Sequence, residues 1–596
     1  MTELVDNACK HGGLTGAVDG REFLLQEPLQ VSKNGVCRPP GRVRGARMLR
    51  TFVLVFTSAL MWACAGDEPP LRPDRGGTPL WIDLDFDQAT DEGGPTGPIP
   101  PAEQRTGGPI RFADVSDAVG FSDVVSGGNT HGVGVAFADL DGDQWPDVLV
   151  INGRSNVNGE QVPSRLMRNR GDGTFEDASQ ASGIAQLLDG VDGYSVAAAD
   201  IDEDGDVDLY IGAQPRDLLL LGRGDGSFED GTDAAGAGGP PSDPTLVGDG
   251  KSKIVAIGDH DNDGHLDLVS ASSTLDSPGA YLLRNRMGET GEATFEDVTE
   301  SSRIRIAPSG NPCAVMWTDY DNDGDPDLFI WNDRGGHVLL DNDGGVFDDV
   351  TEASGLSSVG IRNPMGIDAG DIDLDGDLDY YVSNIGNNPL LRNNGDGTFS
   401  DITRRAGTEG EYGWGLAFAD FDLDGWLDIF VSQEDDRPHL TFANRGVVPS
   451  SFERIEVPHI PVRDDRVAHN KATAFADYDG DGRVDVVTTT TDASRITLYR
   501  NETDPGTAGF IHVVVGAPPS GVGSSSGVGA RVVVAAGDVL RFRDVTAGSS
   551  RASQNEVSVR LGLGQVRGAD WVGIVWPNGE QRVFINVAAG STLEAP

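Results

Sequence analysis

The nine residues Asp259-His-Asp-Asn-Asp-Gly-His-Leu-Asp267 decide the reading of this chain. The carboxylates of Asp259, Asp261 and Asp263, at positions 1, 3 and 5, can converge if the backbone curls back on itself. Gly264 at position 6 supplies the left-handed turn that a residue with a Cβ resists. The carbonyl of His265 then points inward, and Asp267 at position 9 closes the ring of oxygens. This is the ligand logic of an EF-hand loop, shortened and without the acidic residue at position 12. Such a site suits a hard cation, and calcium fits it better than magnesium, which demands an octahedron and keeps its waters.

The spelling recurs seven times, at intervals of 61, 59, 60, 52, 49 and 57 residues. Asp and Gly crowd into turns in any protein; a fixed internal spacing repeated seven times is instead a repeat architecture. The candidate metal ligands are Asp139, Asp141, Asp143 and Asp147 in loop 1, and Asp200, Asp202, Asp204 and Asp208 in loop 2. Loop 3 is the one quoted, with Asp259, Asp261, Asp263 and Asp267. Loop 4 offers Asp319, Asp321, Asp323 and Asp327, and loop 5 Asp371, Asp373, Asp375 and Asp379. Asp420, Asp422, Asp424 and Asp428 form loop 6, and Asp477, Asp479, Asp481 and Asp485 loop 7. Six loops carry glycine at position 6; loop 1 has Gln144 there, which predicts the weakest calcium site.

Each loop sits between two short apolar runs, such as Val135-Ala-Phe-Ala138 and Val148-Leu-Val150, which read as buried strands. Further on come an Asn and a Gly-Asp-Gly hairpin, as in Arg170-Gly-Asp-Gly-Thr-Phe175 and Asn394-Gly-Asp-Gly-Thr-Phe399. A unit is therefore about four strands, and radial arrays of four-stranded sheets are β-propellers. A Phe-x-Asp signature or its relic precedes every loop, at Phe112, Phe175, Phe228, Phe295, Phe347, Phe399 and Phe452, and none follows the last loop. The strand at Arg111–Val115 is thus expected to complete the last blade and remove the open sheet edge. The expected fold is all-β, a seven-bladed propeller with a small C-terminal β domain.

The loops resemble the FG-GAP/VCBS repeats of integrin α chains and of many bacterial secreted proteins, over residues 109–503. Residues 508–596 are similar to the ASPIC/UnbV domain, on Gly527-Val-Gly-Ala-Arg-Val532, Leu561-Gly-Leu-Gly564 and Val575-Trp-Pro-Asn-Gly579. The pairing resembles the cartilage acidic protein 1 family, as a bacterial member. That resemblance implies calcium binding and extracellular adhesion or recognition, and no enzymatic reaction. Read from its residues alone, the last segment is a compact β module with strands at Ile511–Val515, Arg531–Ala535 and Trp571–Val575. Its Gly/Ser-rich stretch Gly523–Gly529 lacks the Lys-Ser/Thr ending of a phosphate loop and reads as a flexible hairpin loop.

The formal net charge is −50, from 95 acidic and 45 basic residues. Seven calcium ions would bring it to about −36. Such a surface argues against nucleic acid, whose binders present basic patches. Near the amino terminus, Arg42, Arg44, Arg47 and Arg50 precede an apolar run, Thr51–Ala63, and then Cys64. The run is too short to span a bilayer but suits a signal peptide over 48–64. Residues 1–47 then read as a mis-called extension. Lipidation of Cys64 would give an outer-membrane or cell-surface lipoprotein, whose only membrane contact is that anchor; plain secretion is the alternative. Residues 65–108, rich in Pro, Gly and Asp, read as a disordered linker. Cys313 is then a single thiol, read as a small buried hydrophobe.

The function expected is recognition of an extracellular polysaccharide or protein by an exported calcium-binding propeller, through long loops such as Ala234–Lys253 and Val447–Asn470. The alternatives are an architectural surface protein and a propeller enzyme acting on polysaccharide. Against the enzyme, His131, His265, His337, His459 and His469 are scattered, with no motif pairing a histidine with a nucleophile. Trp145, Trp317, Trp331, Trp414 and Trp426 read equally as core residues or as sugar platforms.

Overall fold

The computed structural model describes residues 108–595 except 128–132, 154–160, 241–252, 273–278, 305–310, 334–335, 362, 435–436, 458–469, 491, 522 and 538. It also describes Leu84 and three short strands, Thr15–Val18, Arg21–Leu24 and Thr90–Asp91. Residues 1–75 and 76–596 form separate units. In the first, Thr15–Val18 and Arg21–Leu24 pair antiparallel. The signal peptide, Cys64 and most of the linker lie outside the described residues. No helix among the described residues is long and apolar enough to cross a membrane.

Among the described residues the second unit holds seven sheets built on four antiparallel strands, six of them meanders of consecutive strands, and the first carries a fifth, parallel strand on its inner edge. Sheet 3 is representative: Lys253–Gly258, Asp267–Ser272, Ala280–Asn285 and Phe295–Asp297, running from the inside outwards. The inner strands of successive sheets neighbour one another in a closed cycle, from Gly134–Ala138 through Asn470–Ala476 and back. The fold is a β-propeller. Inner strands such as Gly134–Ala138 are buried on both faces, which is why they read as unbroken runs of small and apolar residues rather than alternating ones. The seventh sheet takes its outer strand, Phe112–Asp114, from the other end of the domain; Asn501 pairs with Phe112 and Tyr499 with Asp114.

Two side-chain devices repeat around the ring. The first explains Phe-x-Asp. The Phe packs inward while the Asp carboxylate accepts the N–H and hydroxyl of a Ser or Thr two residues on, as Asp401 does from Thr403. That hydroxyl in turn accepts the N–H of Leu390 in the third strand, so the sheet edge is tied off within its own sheet. The second device lies at the end of the third strand. Its Asn donates to the loop of the preceding sheet: Asn285 to Ile201 O, Asn342 to His260 O, Asn393 to Tyr320 O, Asn444 to Ile372 O and Asn501 to Phe421 O. Asn169 donates to Tyr478 O at 2.9 Å, which stitches the first sheet to the last. Sheet 2 has Gly222 at this place and so lacks the side-chain stitch.

Residues 509–595 form two further sheets. A five-stranded sheet includes Arg531–Ala536, Val539–Asp544, Gly568–Val575 and Gln581–Ala588, and Gly509–Val515 is the middle of a three-stranded one. Thr90–Asp91 adds a parallel edge strand to the larger sheet, and Leu84 packs with Val575 and Val583. Part of the stretch read as linker is thus built into this domain. The domain does not stand apart from the propeller. Val528, Val545, Ala547 and Trp576 share one hydrophobic cluster with Ile257, Leu268 and Tyr281 of the ring. From it, residues 546–556 enter the middle of the ring: Ala547 bridges Ile257, Ser550 bridges Ile367, and Ser553–Gln554 pair in parallel with Val135 and Ala136. At the tip, Arg551 is buried, with its guanidinium 4.1 Å from the centre of the Trp414 ring.

Candidate metal centres

The seven acidic loops join the inner to the second strand of each sheet, all at one end of the ring. Backbone and carboxylates divide the work by position. Position 1 folds the turn: Asp259 accepts the N–H of Asp263 and Gly264, and Asp420 those of Asp424 and Gly425. Position 5 accepts from position 7, as Asp424 does from Trp426 at 3.0 Å. Position 9 is the first residue of the second strand and is a brace. One oxygen of Asp428 accepts Phe421 N–H and the other Asn444 N–H, and the same pair of bonds recurs at the other six. This brace was not legible from the motif; an oxygen with one such bond keeps a lone pair for a cation, but Asp208 Oδ2 also accepts Asp202 N–H and Asp267 Oδ2 also bonds the His260 ring.

Position 3 differs. Oδ1 of Asp141, Asp202, Asp261, Asp373 and Asp479 is buried with no hydrogen-bond partner, and so is Oδ1 of Asp200 and of Asp319 at position 1. A buried carboxylate oxygen without a donor is costly, and a row of them facing the same kind of loop is chemistry that fits a divalent ion. Ligand atoms of Asp139, Asp141 and Asp143 lie within 4.8 Å of one another, as do those of Asp200, Asp202 and Asp208. Asp259, Asp261 and Asp263, and Asp319, Asp321 and Asp327, meet the same limit. Burial, and then the neighbouring carboxylates, push Asp321 up to about 7 and Asp373 and Asp202 to about 6. The braces Asp147 and Asp208 rise to about 8, with burial again the first cause.

The loop needs two left-handed residues, not one. Position 6 has φ between 72° and 96° in all seven, and position 4 between 55° and 76°. Position 4 is filled by Gly142, Glu203, Asn262, Asn322, Leu374, Leu423 and Gly480, and only glycine and asparagine advertise that conformation in a sequence. In loop 1 the glycine has moved to position 4, and Gln144 takes φ 72° while still donating its N–H to Asp139 at 2.8 Å. Neighbouring loops also touch: Asn262 donates to Asp325, and Asn322 to Asp377.

The C-terminal domain lies on these loops. Ser525 N–H donates to Asp200 at 3.0 Å, Arg541 Nε to Gly425 O at 2.8 Å, and Arg560 Nε lies 3.4 Å from Asp477. Arg531 forks onto Asp544, donates to Asn322 and approaches Asp319 at 3.6 Å. The stretch read as a flexible hairpin loop is packed instead: Ser524 and Ser526 are buried, and its small residues let the Ser525 backbone reach Asp200 of loop 2. Gly562 abuts Asp420 so closely that a Cβ there would collide with the carboxylate.

Of the other residues singled out, Trp317, Trp331 and Trp414 are buried in the sheets, while Trp145 and Trp426 sit at position 7 of loops 1 and 6. His337 stacks on Trp331, and His265 is held by Glu203. His131, His459 and His469 lie outside the described residues. Cys313 is buried, and burial pushes its thiol up to about 11.

Fold and loops together define a class: a β-propeller of acidic-loop repeats carrying its own C-terminal β domain on the loop end. FG-GAP-like repeats match residues 139–211, 200–270, 259–330, 319–382 and 371–431, each match running from one acidic loop through the next, and the ASPIC and UnbV family matches residues 521–595. The chain therefore carries FG-GAP-like repeats followed by an ASPIC and UnbV domain. Cartilage acidic protein 1 of Homo sapiens is 28% identical over 234 residues, 39% of this chain and 32% of that protein. The Xenopus tropicalis protein of that name is 26% identical over 204 residues, 34% and 29% of the two chains. The chain thus spans about a third of the length of the curated relatives it matches. Among solved structures, an Agrocybe aegerita lectin is 18% identical with a TM-score of 0.37, over 61% of this chain and 87% of the lectin. YCF48 from Cyanidioschyzon merolae is 12% identical with a TM-score of 0.35, over 62% and 96%.

Proposed function

We propose that this chain is an exported calcium-binding propeller that recognises a surface polysaccharide or protein. The observation that supports the calcium half is the set of buried position-3 oxygens left without a donor. Asp residues at positions 1, 3 and 5 would hold the ion, with the second lone pairs of position 9 completing the set. The ion supplies the charge that lets several carboxylates occupy one loop. Its role in this reading is to the fold. At a dissociation constant of about 0.1 mM and about 1 mM calcium, each loop would gain roughly 1.4 kcal/mol.

Recognition then falls to the other end of the ring. The loop end carries the C-terminal domain, and the middle is entered by residues 546–556. The two longest connections read from the sequence, before Lys253 and before Asn470, lead into inner strands at the end opposite the acidic loops. The test is binding of the purified chain to a glycan and cell-surface array in calcium and in EGTA. Binding that vanishes in EGTA is expected. No binding in calcium, with the fold intact by melting curve, would favour the architectural alternative, and product release from polysaccharide would favour the enzyme.

A further inference from the structure

The seven loops share a spelling but not a neighbour. The third-strand residue whose N–H bonds to the position-9 Asp is fixed in register, and the residue just before it stands beside positions 3 and 5 of the loop. In sheet 3 that residue is Arg284, which donates Nε to Asp261 and Nη2 to Asp263, both at 2.7 Å. In sheets 1, 5 and 7 it is Arg168, Arg392 and Arg500, of which Arg168 lies 3.7 Å from Asp141. In sheets 2 and 6 it is uncharged, Leu221 and Ala443. In sheet 4 it is Asp341, a further negative charge acting on Asp321 and Asp323, with one oxygen accepting from the Tyr320 hydroxyl at 3.1 Å.

We propose that this one residue sets the order in which the loops take up calcium, with loop 4 filling first and loop 3 last. The proposal rests on the calcium reading above. In loop 3 an entering cation must displace a guanidinium already bonded to two of its ligands. In loop 4 it meets an added carboxylate instead, and charge–charge energies over such distances are large where water is scarce. Arg531 also approaches loop 4, but Asp544 answers its charge through two bonds at 2.7 and 3.0 Å, whereas Glu289 meets Arg284 through one at 3.0 Å and leaves two of its nitrogens on the loop. The sequence expectation placed the weakest site in loop 1 on the strength of Gln144. That residue keeps the turn bonds to Asp139, so glycine loss alone does not disable the loop.

Native mass spectrometry of the full chain across a calcium titration tests this with Arg284→Gln and Asp341→Asn. Arg284→Gln should tighten the weakest uptake step by about tenfold, and Asp341→Asn should weaken the tightest by about tenfold. Melting curves without calcium verify that each variant folds; Arg284, partly exposed, carries the test even if Asp341→Asn fails to fold. A wild-type chain that takes up calcium, with Arg284→Gln unchanged in every step, overturns the ordering and leaves the calcium reading standing. A chain that takes up none overturns both.

Discussion

Loop 1 and loop 6 share their four Asp residues and a Trp at position 7 and live in different surroundings. In loop 1 Gly142, Asp143 and Gln144 face solvent. In loop 6 Asp420, Asp422, Asp424 and Asp428 are all buried, roofed by Arg541, by Gly562 and by Gly564, whose N–H donates to Leu423 O. The comparison teaches that the motif specifies a set of ligands, whereas the dielectric around them is set by a domain more than a hundred residues away. The largest effect should come from removing that roof. Deleting residues 508–596 uncovers the apolar cluster shared by Val545, Ala547 and Ile257 and empties the middle of the ring. We expect a loss above about 5 kcal/mol, comparable to a domain's whole stability, read by melting and dye binding. A truncated ring that melts like the full chain would break the comparison outright.

Acidity should act next, on exposed and buried loops alike. Carboxylates raised on folding favour the protonated, folded state, so their stabilisation is present below about pH 4 and is lost as pH rises through the folded values. Those values are about 6 for Asp202, Asp319, Asp373 and Asp477, about 7 for Asp321 and about 8 for Asp147, Asp208 and Asp371. Metal-stripped protein should therefore melt lower at pH 8 than at pH 5. Added calcium should raise the melting point more at pH 8, because only the ionised loop competes well for it. Equal calcium increments at both pH values would count against the loops as the source.

Within a loop, positions 3 and 9 are expected to part company. Asp428→Ala removes the acceptor of two buried N–H groups, of Phe421 and Asn444, and should cost about 3 kcal/mol even without calcium, plus the calcium-dependent part, because a ligand goes with the brace. Asp373→Asn removes a charge from a crowded loop. It should leave metal-free stability unchanged or slightly raised and lose only the calcium-dependent part, about 1.4 kcal/mol. Chemical denaturation in calcium and in EGTA distinguishes the two; identical behaviour would mean that the brace and the ligand are one role.

The repeat, the four-stranded unit and the strand that closes the ring were all legible in the sequence, because each is a local pattern of apolar runs and turn residues. The acidic residues were legible too, but not their division of labour. Asp267 and Asp261 look alike in a motif, and only the third-strand partner, Asn285, makes the first a brace. The stitch by Asn169 to Tyr478 spans 309 residues and leaves no local trace beyond an asparagine before a hairpin. Leu374 and Leu423 at φ 59° hid the second left-handed position, since nothing in a leucine announces it. The seating of the C-terminal domain was beyond reach for the same reason: Arg541 and Arg560 read as surface charges until Gly425 and Asp477 stand opposite them.

The smallest effect concerns the exposed loop itself. Gln144 holds a left-handed backbone that costs a residue with a Cβ about 1–2 kcal/mol, of which glycine's greater freedom in the unfolded chain takes back about 0.5–1 kcal/mol. Gln144→Gly should therefore stabilise by only about 0.5 kcal/mol. It should do so equally with and without calcium, because the N–H that reaches Asp139 belongs to the backbone and survives the change. If the variant instead tightened one calcium step several-fold, position 6 rather than the third-strand charge would govern the site. The contrast between loops 1 and 6 would then be one of backbone, not of surroundings.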